Sequence, residues 1–250
     1  MSSTVIDMSE MLPLFPLSAV LFPGMRLPLH IFEERYRVLV TDLLAKPEPR
    51  RFGVIAIRNG REVGVGGVTA LHEVGCVAAV RQVVPHPDGR FDLATVGTDR
   101  FRLIGLDRSR PYLMGEIELL PDEHSPDEQP GSDGSRPDET ESHPDETGAG
   151  KAPVVADVQA GFRGYLNALA DRGGGVISIA DLPDEPLLLS YVVGAAMIID
   201  LPERQSLLAA PDALSRLRLE RSLLIRETAM FRATTSRPAP DYVYEQFSQN

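Results

Sequence analysis

Cysteine, lysine and long apolar runs are scarce in this 250-residue chain, and each shortage closes off a class of function. The single cysteine, Cys76, has no partner for an internal disulfide, which points to a reducing, cytoplasmic setting. Lys46 and Lys151 are the only lysines. A phosphate-cradling G-x-x-x-x-G-K-[ST] loop needs a lysine followed by a hydroxyl residue. Here Gly150-Lys151 is followed by Ala152, and Asp145 stands where the first glycine belongs. Neither lysine has a setting for a serine–lysine peptidase pair. The longest apolar stretch, Leu187 to Ile199, has 13 residues and contains Ser190. A spanning helix needs about 20, so this reads as a buried helix and no membrane contact is expected. No basic segment leading into an apolar one is found near residue 1, and export is not expected.

The formal net charge of −11 belongs mainly to one segment. Residues 121–150 carry ten acidic side chains and one basic, Arg136, leaving 26 acidic and 24 basic elsewhere. The rest is nearly neutral, so no basic field remains to attract nucleic acid. Pro-Asp-Glu recurs at 121, 126, 137 and 144 among Ser, Thr, Gly and His. Such a composition cannot bury enough apolar area to offset its ordering entropy, which predicts a disordered linker over 121–152.

Before the linker the chain reads as short strands and one helix. Leu12 to Phe22 and Leu27 to Phe32 are apolar segments parted by Pro23-Gly24, and Pro13, Pro16 and Pro28 suit edges or bulges. Tyr36, Leu39, Val40, Leu43 and Leu44 form one helical stripe, with Glu33 and Glu34 in the favourable first turn. Phe52–Arg58 ends in the hairpin dipeptide Asn59-Gly60, and Val63–Leu71 follows with Gly64, Gly66 and Gly67 inside it. That glycine cluster does not fit G-x-G-x-x-G, and hairpin geometry accounts for it. Further strands are expected at Cys76–Val84, Phe91–Val96, Phe101–Leu106 and Tyr112–Leu120.

After residue 153 the period turns helical. Val155, Val158, Phe162, Tyr165, Leu166 and Leu169 make a stripe ended by Gly173-Gly174-Gly175. Pro186 opens the apolar helix, expected to be surrounded on most sides, and Leu201-Pro202 interrupts before a short helix over 203–209. Asp212 can cap a last helix carrying Leu214, Leu217, Leu224 and Phe231, with Arg216 and Glu220 paired on its wet face. The expected fold is α+β: a β-rich barrel with one helix over 10–120, the linker, a helical bundle over 153–235, and a tail over 236–250.

Several sequence blocks fit one family. Pro-Leu-Phe-Pro-Leu at 13–17, Val-Leu-Phe-Pro-Gly at 20–24, Leu-Pro-Leu-His-Ile-Phe-Glu at 27–33, and Arg35-Tyr36 resemble the start of the N-terminal, substrate-binding domain of Lon-type proteases. The likeness continues through Gly75-Cys76-Val77-Ala78, Asp88-Gly89-Arg90, Gly97-Thr98-Asp99-Arg100-Phe101-Arg102 and Tyr112-Leu113-Met114-Gly115-Glu116. It implies a PUA-like pseudo-barrel and a role in capturing exposed apolar segments of unfolded or marked proteins. With no lysine motif for ATP or peptide cleavage, the expectation is a stand-alone, non-catalytic peptide- or protein-binding module, an adaptor for partner polypeptides. Met25, Leu27, Phe32 and Tyr36, around the turn and helix start, are the candidate peptide-binding residues, though each is also explained as a core residue.

No catalytic residue, cofactor or metal is expected. His30, His72, His86, His124 and His143 show no H-E-x-x-H or Cys-x-x-Cys spacing and read as separate, hydrogen-bonded side chains. His30 stands out for its place at a strand end beside a helix start, where its ring would pin the turn. The alternative function is RNA or nucleotide binding by a PUA-like face bearing Arg100, Arg102, Arg108 and Arg110. Asp99 and Asp107 interrupt that face, and alternating arginines on a strand are ordinarily a solvated surface.

Overall fold

The computed structural model describes residues 9–60, 68–121, 151–173 and 181–235. Most of the expected linker, the glycine cluster at 64–67 and the tail over 236–250 lie outside the described residues. The elements run β1 (Ser9–Leu17), β2 (Arg26–Ile31), α1 (Glu34–Leu44), β3 (Arg51–Gly60), β4 (Val68–Leu71), β5 (Val74–Pro85), β6 (Phe91–Asp107) and β7 (Met114–Leu120). Four helices follow: α2 (Lys151–Gly173), α3 (Pro186–Ala196), α4 (Leu201–Leu208) and α5 (Ala213–Thr235). No described helix is long and apolar enough to cross a membrane.

The sheet closes on itself. Its order β1-β7-β6-β5-β3 returns to β1 through a parallel pairing of β1 with β3, while β4 extends β3 and β2 lies along β6. The sequence suggested edges or bulges for the proline-bearing β1, yet β1 is the closing strand. It pairs with β7 over Ser9–Pro13 and hands over to β3 over Leu14–Leu17. Each half is therefore ladder-paired on one side, which is why prolines are tolerated. β2 does take an edge position, pairing with β6 alone among the described strands.

Two strand boundaries differ from expectation. Phe91–Asp107 is one strand, not two runs broken at Gly97-Thr98-Asp99. Its first half pairs with β2 and its second with β7, so the glycine marks a change of neighbour. A Cβ at Gly97 would run into the carbonyl oxygen of Phe22. Asn59 and Gly60 are not a hairpin turn either: β3 runs through both, and Gly60 pairs with Val68 across residues outside the description.

Helix α1 buries Tyr36, Leu39, Val40 and Leu43 against the barrel, as its stripe implies, while Leu44 is exposed. In the bundle, α2 buries Val155, Val158, Phe162, Tyr165 and Leu166 against α3 and α5. Asp212 caps α5 by accepting from the Ser215 amide at 2.7 Å. Three expectations fail there. The apolar helix is not surrounded: α3 ends at Ala196, and Leu188 and Val192 are exposed. Leu201-Pro202 does not interrupt but begins α4, because proline suits a first turn and Asp200 accepts from the Glu203 amide. Arg216 and Glu220 are fully buried rather than on a wet face. Arg216 spends its donors on the Leu207 carbonyl at 2.9 Å and Ser190 Oγ at 2.8 Å, and its guanidinium lies 4.3 Å from the centre of the Tyr191 ring.

Barrel and bundle share a buried cluster in which Val20, Phe22, Ala56 and Val74 meet Tyr191, Leu207 and Leu208. Gln205 of α4 donates to the Val74 carbonyl at 2.8 Å within it.

Candidate functional site

The ends of β1 and β2 and the start of α1 converge on a pocket of about 120 Å³. Its walls are Phe15–Leu17, Leu29–Ile31, Phe32, Glu33 and Tyr36. Strand alternation makes this surface. Along β2, Arg26, Pro28 and His30 face out, Leu27 and Leu29 are half-buried, and Ile31 is buried. Phe15 stacks on Tyr36 with ring centres 4.0 Å apart, giving the pocket an aromatic floor. Glu33 stands at the N-cap position of α1, but its carboxylate does not cap the helix and instead holds Arg35 at 3.0 Å. The Arg35 guanidinium lies over the Tyr36 ring at 4.5 Å.

Engineered cavities of ~150 Å³ admit a benzene molecule. A space of about 120 Å³ is thus on the scale of one aliphatic side chain or a small ring. The walls are mostly apolar, with an imidazole and a carboxylate at the margin, and β2, which pairs with β6 alone among the described strands, supplies Leu29–Ile31.

The four candidate residues separate. Phe32, 53% exposed, and Tyr36, 5% exposed, both line the pocket. Met25 and Leu27 are half-buried against the barrel core and do not line it. Sequence reasoning missed Phe15, Leu17 and Leu29. The signal was available: Phe15 and Leu17 share a strand face, next to the prolines that leave one side of β1 open.

His30 and His86 are not separate, while His124 and His143 lie outside the described residues. His30 Nδ1 lies 2.6 Å from one oxygen of Asp92, and His86 Nε2 lies 2.7 Å from the other. These hydrogen bonds, that from His30 first, hold the Asp92 carboxyl below its usual range. Register explains the meeting: His30 is directly opposite Asp92 on β2, and Val84, two residues before His86, is opposite it on β5. Spacing along the chain could not show it.

The arginine face dissolves likewise. Arg100 is 2% exposed and donates to main-chain carbonyls of the bundle. Arg102 pairs with Glu118, and Arg110 with Asp42.

Residues 11–226 match the family described as the ATP-dependent protease La (LON) substrate-binding domain. The chain belongs to that family. The Lon-type domain is 25% identical over 204 residues to Lon protease 2 of Syntrophobacter fumaroxidans, covering 81% of this chain and 23% of that protein. It is 23% identical over 222 residues to Lon protease 2 of Myxococcus xanthus, covering 88% and 24%. It therefore spans about a quarter of the length of these relatives. Among solved structures, the Lon N-terminal domain protein from Xanthomonas campestris matches with a TM-score of 0.53 and 23% identity, over 86% of this chain and 98% of that one. The N-terminal domain of Mycobacterium avium complex Lon protease matches at 0.55 and 16%, over 88% and 98%. At that identity both likenesses speak for the mixed α+β fold.

Proposed function

We propose that this Lon-type domain is a non-catalytic recognition module that holds extended, apolar segments of unfolded or marked polypeptides, acting as an adaptor. The supporting observation is the pocket between Phe15, Phe32 and Tyr36 beside β2, whose other edge is unpaired among the described strands. An extended peptide adding to that edge gains main-chain hydrogen bonds, and alternate side chains supply selectivity. One such side chain enters the pocket; Phe32 closes over it. Every second residue of the guest faces the pocket side, so the domain selects spaced apolar residues rather than one fixed sequence.

Chemistry has no place in this reading. The pocket walls are mostly apolar, and the two lysines belong to no phosphate-binding motif. The barrel and the bundle work as one body through their shared buried cluster.

The test is fluorescence anisotropy with labelled apolar peptides and with a reduced, unfolded protein. Saturable binding that Phe32→Ser weakens and acidic peptides fail to reproduce is the expected result. Absence of binding to every probe at high micromolar concentration overturns the proposal.

A further inference from the structure

We propose that His30, His86 and Asp92 form a site for a borderline divalent metal ion of the zinc class. Two imidazoles and one carboxylate suit such ions, and three protein ligands leave a coordination position open. One donor atom from each of His30, His86 and Asp92 lies within 4.8 Å of the other two. Tetrahedral coordination at about 2.0–2.1 Å implies ligand–ligand distances of about 3.3 Å. The present nitrogen–oxygen distances of 2.6 and 2.7 Å need only a small opening, and these side chains are one-third to one-half exposed.

The ligands are held by backbone that is fixed independently of any ion. His30 and Asp92 are a cross-strand pair between β2 and β6. His86 begins a tight turn in which its amide donates to the Arg90 carbonyl at 2.8 Å and its carbonyl accepts from Gly89 at 3.0 Å. Gly89 has φ +80°, a conformation that favours glycine. Arg37 of α1 donates to the Gly89 carbonyl at 2.7 Å, tying the turn to the helix. His30 from β2 and His86 from the turn after β5 thus converge on one carboxylate of β6. His30 also borders the pocket, so a bound ion would stand at its margin and offer its open position to a histidine, cysteine or carboxylate of a guest. The metal site goes beyond the peptide-binding reading and stands without it.

The experiment titrates the full chain with Zn²⁺ by calorimetry and with Co²⁺ by absorption spectroscopy. One ion per chain and tetrahedral Co²⁺ bands are expected. His30→Asn, His86→Asn and Asp92→Asn should each weaken binding by more than about tenfold, the lower end of what losing even a ligand's supporting group costs. His124→Asn with His143→Asn should leave it unchanged. Circular dichroism and melting curves confirm that each variant is folded; two folded variants of the triad suffice. Absence of binding, binding indifferent to the triad variants, or binding abolished by the 124/143 pair overturns the site. Repeating the peptide assay in EDTA reports on peptide capture separately.

Discussion

Arg100, on β6, donates from Nη1 to the carbonyl oxygen of Ala210 at 2.6 Å, joining the barrel to the chain just past α4. The same nitrogen donates to Leu208 at 3.0 Å. Both acceptors belong to buried residues, and Arg100 itself is 2% exposed. Arg100→Met leaves two buried carbonyls without their donor, at about 1–3 kcal/mol each, so a loss on the order of 2–6 kcal/mol is expected. Urea unfolding measures it, and amide exchange should quicken in α4. An unchanged midpoint would show that the lobes do not depend on this contact.

Phe32 and Tyr36 should separate recognition from stability. Tyr36 is buried and stacked on Phe15, so Tyr36→Ala is expected to cost about 3–5 kcal/mol. Phe32→Ala, at an exposed position, should stay within about 0.5 kcal/mol of the parent. Its peptide affinity should nonetheless fall. Equal losses of stability in both variants would contradict the assignment of Phe32 to the pocket.

Glu220 gives the fold a pH dependence. Both its carboxylate oxygens are buried without a hydrogen bond among the described residues, and burial pushes its pKa well above the usual range, with Arg216 opposing. A raised folded-state value means that the native protein holds a proton the unfolded chain has released. The stabilisation is full below the unfolded carboxyl value near 4.3 and is lost as pH rises through the folded one. Melting temperatures of Glu220→Gln should lack that decline, so the variant gains on the parent as pH increases. Parallel pH profiles would refute this.

Gly97 and Gly164 make an opposed pair. A Cβ at Gly97 would press on the Phe22 carbonyl oxygen and approach Cys76 Sγ at 3.1 Å, and overpacking of this kind costs about 1–3 kcal/mol. At Gly164, inside α2, a Cβ meets nothing within 4 Å. Gly164→Ala should therefore stabilise by roughly 0.5–1 kcal/mol, the helix preference of alanine over glycine. Denaturation midpoints moving the same way for both substitutions would rule out this account of Gly97.

Periodicity located the elements because it is local: Tyr36, Leu39, Val40 and Leu43 repeat at the helical spacing and are the buried face of α1. Val155, Val158 and Phe162 do the same for α2. Phe32 and Tyr36 could be named for the pocket because they stand beside the turn that shapes it. Arg216 and Glu220 misled because the four-residue spacing that makes an exposed pair also fits a buried one, and only the packing of α3 onto α5 tells them apart. The sequence by itself determined the α+β order of strands and helices, the acidic character of residues 121–150, and the absence of a lysine motif for phosphate binding. Tertiary structure alone decided that β1 closes the barrel, that Arg100 faces the bundle instead of solvent, and that His30, His86 and Asp92 meet. Those outcomes depend on strand register and lobe packing, which join residues far apart in the chain and leave no periodic trace in it.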